Sequence, residues 1–299
     1  MTSRRTFIKT GSLLAAGILA RGSGRAENAA GKSMSISLAQ WSLNRAFKAG
    51  ELDPMDFARI ARRDFEIEAV EYVNQFYFDS LSDAVTRELR KRAENEGVRS
   101  LLIMCDREGR IGDPDKAERA KTVANHHRWA EAARALGCHS IRVNAGSEGS
   151  FEEQQKLAAD GLRRLSEYCR KLDLNVLVEN HGGLSSNGAW LAGVMKLVDL
   201  PNCGTLPDFG NFTIDRKTGE TYDRYTGVEE LMPFAKAVSA KSYDFDATTG
   251  EETTIDYERM ISIVRAAGYH GHVGIEYEGK RLSESEGIIA TRRLLEKLL

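Results

Sequence analysis

Short apolar runs alternate with longer amphipathic stretches from residue 35 to the end of the chain. This alternation is typical of a parallel sheet covered by helices. The apolar runs predict eight strands, at 35–40, 69–73, 100–104, 140–143, 175–178, 203–206, 237–241 and 273–275. The amphipathic stretches predict helices at 54–63, 80–96, 114–136, 152–172, 189–199, 228–236, 256–267 and 283–298.

Glycines close several of the predicted helices just before the next strand, at Gly97, Gly137 and Gly268. Glycine is favoured there because it adopts the left-handed conformation that ends a helix. Eight strand and helix pairs without a break in composition favour a closed barrel over an open doubly wound sheet. No glycine-rich turn follows the first predicted strand, which argues against a dinucleotide-binding fold. The predicted fold class is α/β, a single (β/α)8 TIM barrel over residues 35–298.

The first 30 residues have a different character. Residues 3–9 read Ser-Arg-Arg-Thr-Phe-Ile-Lys, and an apolar stretch follows at 13–20. The segment resembles a twin-arginine signal, with cleavage expected between Ala20 and Ala30. Its apolar stretch is shorter than the roughly 20 residues of a bilayer-spanning helix, so no permanent membrane span is expected. The resemblance implies that the twin-arginine export machinery delivers the protein to the periplasm.

Charge and cysteine content narrow the classes of partner. The chain carries 42 basic and 44 acidic residues, well mixed, for a net charge of −2. Such a chain has no basic field for nucleic acid or an anionic membrane, so a small molecule is the expected partner. Its four cysteines are widely spaced without a CxxC pair, which argues against a zinc knuckle or redox pair. Association into a homo-oligomer is left open.

Three carboxylates each follow a short apolar run: Glu179 after 175–178, Asp208 after 203–207 and Glu276 after 272–275. A carboxylate at the exit of a buried strand is poorly solvated unless it lies beside a cation or a substrate. The three therefore point to one shared site and to metal-assisted enzyme chemistry.

The segments that contain these carboxylates are Val-Glu-Asn-His-Gly-Gly at 178–183, Pro-Asp-Phe-Gly-Asn at 207–211, Ala-Lys-Ser-Tyr-Asp at 240–244 and Gly-Ile-Glu-Tyr-Glu-Gly at 274–279. Together they resemble the sugar isomerase/epimerase family. Its superfamily has xylose-isomerase-like barrels and includes tagatose-type 3-epimerases and the endonuclease IV group. The resemblance covers residues 35–298.

The resemblance implies that Glu179, Asp208 and Glu276 bind a divalent metal: Mn, Mg or Zn. Where the family usually has a fourth ligand, a histidine on the seventh strand, this chain has Ser239, while the lysine two residues later is kept as Lys241. Three carboxylates without an imidazole favour hard ions over zinc. A metal-free site, with Lys241 offsetting the carboxylate charge, remains the alternative.

The resemblance implies that the reaction transfers a proton at a carbon next to a sugar carbonyl. Glu179 and Glu276 would remove and return the proton through an enediolate, which Lys241 would stabilise. Two alternatives stay open: a periplasmic lyase or hydrolase acting on 3-keto sugars or glycosides, and a metal-free sugar-binding protein without turnover. Nuclease activity ranks last because the charge is wrong, and because Asn211 and Ser239 replace two histidine ligands of that branch.

Six further residues are predicted to bind substrate. His181 shares the facing of Glu179, and a turn at Gly182 and Gly183 would bend it over the pocket, although it is also a candidate metal ligand. The other five are Trp41, Glu71, Arg142, Asn144 and Asn211. Arg142 is equally explained as a rim charge, and Trp41 as a plug of the barrel. Asp106 and Glu278 are secondary candidates.

Overall fold

The computed structural model describes residues 34–299, and eight parallel strands form one sheet within that range. Their bounds are β1 Ser35–Ala39, β2 Ala69–Val73, β3 Arg99–Met104, β4 Ser140–Asn144, β5 Asn175–Glu179, β6 Cys203–Leu206, β9 Val238–Ser242 and β10 His272–Tyr277. In the sheet they follow the order β6, β5, β4, β3, β2, β1, β10, β9. Two short strands, β7 Thr213–Asp215 and β8 Glu220–Thr221, form a separate antiparallel hairpin.

The sheet closes on itself between β6 and β9. Parallel bridges join Thr205 to Ala235 and Asp208 to Ser239. The backbone N–H of Phe209 donates to the Ser239 carbonyl at 3.1 Å, and the Ser239 N–H donates to the Pro207 carbonyl at 2.9 Å. The predicted α/β fold, a single (β/α)8 TIM barrel, is therefore confirmed.

Helices cover the outside of this barrel. Eight of them lie within a few residues of the predicted places, and the short helix Asn44–Ala49 was not predicted. Their bounds are α1 Asn44–Ala49, α2 Phe57–Phe65, α3 Asp83–Asn95, α4 Lys116–Leu136, α5 Phe151–Arg170, α6 Gly188–Val198, α7 Arg224–Leu231, α8 Tyr257–Ala266 and α9 Glu284–Leu298. The prediction of 228–236 for α7 was wrong at both ends. Asp223 caps the helix earlier by accepting from the Thr226 N–H at 2.8 Å, and Pro233 ends the α-helical pattern in a short 3-10 turn.

Alternation along each strand separates two apolar layers. Outward side chains such as Val176, Val178 and Ile275 pack against the helices. A smaller apolar cluster comprises Ala39, Val73, Leu102, Met104, Leu177, Leu206 and Ala237. The residues of this cluster alternate with the outward ones, so they fill the barrel interior. At the carboxyl ends of the strands the same inward positions carry polar side chains.

Three other expectations concern the amino-terminal segment, membrane-spanning helices and the cysteines. The twin-arginine segment, residues 1–30, lies outside the described residues. Within 34–299, no helix combines the length and apolar character needed to cross a membrane. The four cysteines are free thiols, and three of them are buried.

Candidate active site at the carboxyl ends of the strands

The three predicted carboxylates meet at one end of the barrel. Glu179 is the last residue of β5, Asp208 follows β6, and Glu276 lies near the end of β10. Each side chain offers an oxygen that lies within 4.8 Å of the oxygens offered by the other two. All three residues are at most 3% exposed. Three acidic groups are thus concentrated in a space with little access to water.

Lys241 is the cation closest to Glu276 and Asp208. Its Nζ lies 2.7 Å from Glu276 Oε1, 3.0 Å from Glu278 Oε2 and 3.8 Å from Asp208 Oδ2. Burial disfavours its charge, but Glu276 and Asp208 outweigh this effect and hold the Lys241 pKa well above its usual range. The side chain is therefore an ammonium group at neutral pH.

Ser239 lies between two of the carboxylates. Its Oγ is 2.7 Å from Asp208 Oδ2 and 3.1 Å from Glu276 Oε2. The other oxygen of Asp208 accepts from the backbone N–H groups of Gly210 and Asn211, each at 2.8 Å. Both oxygens of Asp208 are thus held in fixed positions.

Arg142 provides the second buried cation, on the opposite side of Glu179. Its guanidinium donates to Asp106 Oδ1 at 2.7 Å. Its Nε lies 2.8 Å from Glu179 Oε2, yet the N–H is not directed at that oxygen, so this contact is ionic rather than a hydrogen bond. Asn144 also donates to Asp106 Oδ1, at 2.8 Å. Arg142 outweighs the effect of burial and lowers the pKa of Asp106 well below its usual range.

The two cations do not neutralise the carboxylates. Burial raises the pKa of Glu179 to about 7, against the opposing effect of Arg142. Burial likewise raises the pKa of Asp208 to about 7, with Lys241 opposing. The charged forms of both groups are therefore poorly solvated where they lie. Additional protons or another cation are needed to balance the cluster.

The predicted substrate-binding residues occupy different levels of this end of the barrel. Asn211 donates to Glu179 Oε1 at 3.0 Å and so holds a carboxylate. Trp41 packs partly on the interior cluster, and its N–H donates to Glu278 Oε1 at 2.6 Å. His181 is exposed. Nearby protein atoms still reduce the solvation of its ring and lower its pKa, and the positive charge of Arg142 lowers it further. Arg142 and Asn144 are both tied to Asp106.

Asn180 is a structural part of the site that the sequence prediction missed. Its Nδ2 donates to the carbonyl oxygens of Asp208 and Asn211, at 2.9 and 3.1 Å. Its Oδ1 accepts from the Asp208 N–H at 2.7 Å. Asn180 therefore fixes the end of β5 against the turn that carries Asp208. Its position directly after Glu179 in the sequence could have indicated this role.

Glu71 lies inside the barrel, against β1 and β10. Ser37 donates to its Oε1 at 2.6 Å, while Oε2 has no hydrogen-bond partner among the described residues. A Cβ at Gly274 would lie 2.5 Å from Glu71 Oε1, so the carboxylate occupies the space that this glycine leaves. Burial, and then Glu276 and Glu179, raise the pKa of Glu71 to about 7, against the hydrogen bond from Ser37.

The variant Glu71→Gln is expected to be more stable than the natural protein at pH 8. An acid whose pKa is raised by folding binds a proton in the folded state, so the free energy of unfolding falls as pH rises from about 4.5 to about 7. A rise of this size corresponds to roughly 3 kcal/mol. The free energy of unfolding is measured in urea at pH 4 and at pH 8. It should fall less between pH 4 and pH 8 in the variant than in the natural protein. An equal loss in both proteins would contradict the assignment.

The comparison with protein families agrees with the barrel fold. Residues 59–298 match the family model described as xylose isomerase-like TIM barrel. The chain belongs to this family. Curated proteins gave no match.

Several solved structures align with this one over most of its length. The apo 3-keto-D-glucoside 4-epimerase YcjR from E. coli is 15% identical, covers 89% of this chain and 100% of its own, and has a TM-score of 0.69. D-psicose 3-epimerase with D-tagatose, from Clostridium cellulolyticum H10, is 12% identical over 89% and 99%, with a TM-score of 0.70. A xylose isomerase-like TIM barrel protein from Mycobacterium smegmatis in complex with magnesium is 20% identical over 89% and 96%, with a TM-score of 0.65.

Proposed function

We propose that this xylose isomerase-like barrel is a sugar isomerase or epimerase that moves a proton at a carbon next to a carbonyl. The observation that carries the proposal is the convergence of Glu179, Asp208 and Glu276, with oxygens within 4.8 Å, beside the Lys241 ammonium. Two similar structures have names that identify them as epimerases of keto-sugars or keto-glycosides. Because fold alone does not imply a reaction, the proposal depends mainly on the geometry of these residues.

In this proposal Glu179 and Glu276 exchange protons with the substrate from different sides. In the closed barrel β5 and β10 are separated by β6 and β9, so the two side chains approach the centre from non-adjacent strands. One glutamate removes the proton and the other returns it, which inverts the carbon. Lys241 Nζ donates a hydrogen bond to the oxygen that gains negative charge in the enediolate.

The donor set fits a divalent cation. The carboxylate oxygens lie close together, and buried Glu179 Oε2 accepts no hydrogen bond. Burial raises the pKa values of Glu179 and Asp208, so their charged forms lack the solvation that an ion would supply. Glu179, Asp208 and Glu276 would hold the ion. When bound, it polarises the carbonyl and hydroxyl oxygens of the substrate.

The charges favour an uncharged sugar as substrate. Arg142 is paired with Asp106 and Glu179, and Lys241 with Glu276 and Glu278. Each cation is already balanced by two carboxylates, which leaves no net positive charge for a phosphate group or a sugar acid. Export to the periplasm by the twin-arginine route, part of the same proposal, agrees with an unphosphorylated carbohydrate.

The direct test is turnover of keto-sugars by the purified protein. D-Fructose, D-tagatose, D-psicose and a 3-keto-D-glucoside are incubated with the protein and Mn²⁺ or Mg²⁺, and the products are separated by chromatography. We expect an epimer or isomer of at least one sugar, with any glycosidic bond intact. Release of the aglycone would instead indicate a lyase or hydrolase. Binding without conversion, measured by calorimetry, would indicate a sugar-binding protein.

A further inference from the structure

Ser239 occupies an unusual place for a hydroxyl group. The residue is 1% exposed and pairs with Gly274 in β10, while a bridge connects it to Asp208 on the other side. Its Oγ therefore points into the barrel between two carboxylates, 2.7 Å from Asp208 Oδ2 and 3.1 Å from Glu276 Oε2.

The hydroxyl proton of Ser239 cannot serve both of these contacts at once. A serine hydroxyl has one proton, so it donates to one of these two oxygens at a time. The other contact then brings two oxygen atoms together without a hydrogen between them. A proton or a cation beside both oxygens stabilises such a contact. Lys241 Nζ, 2.7 Å from Glu276 Oε1 and 3.8 Å from Asp208 Oδ2, supplies part of this charge, and a divalent ion would supply the rest. Glu179 offers a third carboxylate oxygen, within 4.8 Å of the oxygens that Asp208 and Glu276 offer.

The spacing of the oxygens matches the coordination of a small divalent ion. Mg²⁺ binds oxygens at about 2.1 Å in an octahedron, so neighbouring ligand oxygens lie about 2.9 Å apart. The distances of 2.7 and 3.1 Å around Ser239 Oγ bracket this value. The longer bonds of Ca²⁺, about 2.3–2.6 Å, place neighbouring oxygens roughly 3.3–3.7 Å apart.

The group contains oxygen donors alone. The three carboxylates and Ser239 Oγ contribute neither nitrogen nor sulfur, the donors that zinc favours. We propose that Ser239 Oγ is the fourth protein oxygen of the ion site, and that an oxygen at this position, rather than a nitrogen, shifts the relative affinity of the site toward Mg²⁺ and Mn²⁺ and away from Zn²⁺. The inference rests on the divalent ion of the proposed function and assigns a ligand and a selectivity to it.

The test is calorimetric titration of the chelator-stripped full-length protein with MgCl₂, MnCl₂ and ZnCl₂. Three variants are compared: Ser239→Ala, Ser239→His and the matched control Ser242→Ala. Ser242 is a buried hydroxyl on the same strand that contacts Thr291 Oγ1 at 2.6 Å. Circular dichroism verifies that each variant is folded.

We expect Ser239→Ala to weaken Mg²⁺ and Mn²⁺ binding at least about tenfold, the lower end of what even an outer partner of a metal ligand contributes. Ser242→Ala should bind as the natural protein does. Ser239→His should raise the ratio of Zn²⁺ to Mg²⁺ affinity at least about tenfold, because it adds a nitrogen donor.

Two results would overturn the inference in distinguishable ways. If Ser239→Ala binds ions as well as Ser242→Ala does, Ser239 is not a ligand, although the ion site stands. If the natural protein binds neither Mg²⁺ nor Mn²⁺, the ion site fails as well, and a proton fills the gap between the oxygens. Turnover of keto-sugars in chelator then decides separately whether the proton-transfer function survives.

Discussion

Replacement of Glu179 or Glu276 by glutamine is expected to lower kcat by about 10²–10⁴-fold for each variant. Glutamine keeps the size of the side chain and can accept a hydrogen bond, but it cannot exchange a proton at neutral pH. Both residues are nearly fully buried, so water has poor access to replace them. The measurement is the initial rate of epimer formation at saturating substrate.

A matched control separates this loss from an effect of removing one charge. Glu131→Gln changes an exposed glutamate on α4 that contacts Tyr168, away from the strand ends. It should retain the rate of the natural protein. If either active-site glutamine variant keeps near-normal turnover with unchanged folding, that glutamate is not an acid or base in the reaction.

Replacement of Lys241 by methionine is expected to destabilise the protein by about 3–5 kcal/mol at pH 8, because buried carboxylates lose their cation. The loss of stability caused by Lys241→Met should be smaller at pH 4 than at pH 8. Burial opposes the charge of Glu278, but Lys241 outweighs it and lowers the Glu278 pKa. A carboxylate with a lowered pKa contributes stability above its unfolded pKa, and that stability is lost as pH falls.

Urea unfolding in the presence of a chelator measures this difference, since no divalent ion then compensates for the lost lysine. Lys280→Met, at an exposed position, is the matched control and should change the free energy of unfolding by less than about 0.5 kcal/mol at either pH. An equal defect of Lys241→Met at pH 4 and pH 8 would show that lost packing, not lost charge, causes it.

The eight barrel strands could be predicted because each one is an apolar run inside a repeating pattern. The carboxylates were found for the same reason, since Glu179, Asp208 and Glu276 each interrupt such a run at its end. The hairpin of β7 and β8 was not predicted because strands of three and two residues are too short to show an alternating pattern.

The contacts inside the site could not be predicted from the sequence because they join residues far apart in the chain. Ser239 is 31 residues from Asp208 and 37 from Glu276, and its role depends on the closure of the barrel. Trp41 was predicted to bind substrate, but its N–H donates to Glu278, 237 residues away. Nothing in the local sequence pairs these two residues.

The measurement that tests the central claim most directly is the uptake of solvent deuterium by a keto-sugar. The full-length protein is incubated in D₂O with a sugar that it converts, and NMR follows the carbon next to the carbonyl. The account predicts deuterium at that carbon in the product epimer, at a rate that falls in parallel with turnover in Glu179→Gln and Glu276→Gln. Conversion that leaves the product free of deuterium would contradict it, because the hydrogen would then not pass through a group that exchanges with water.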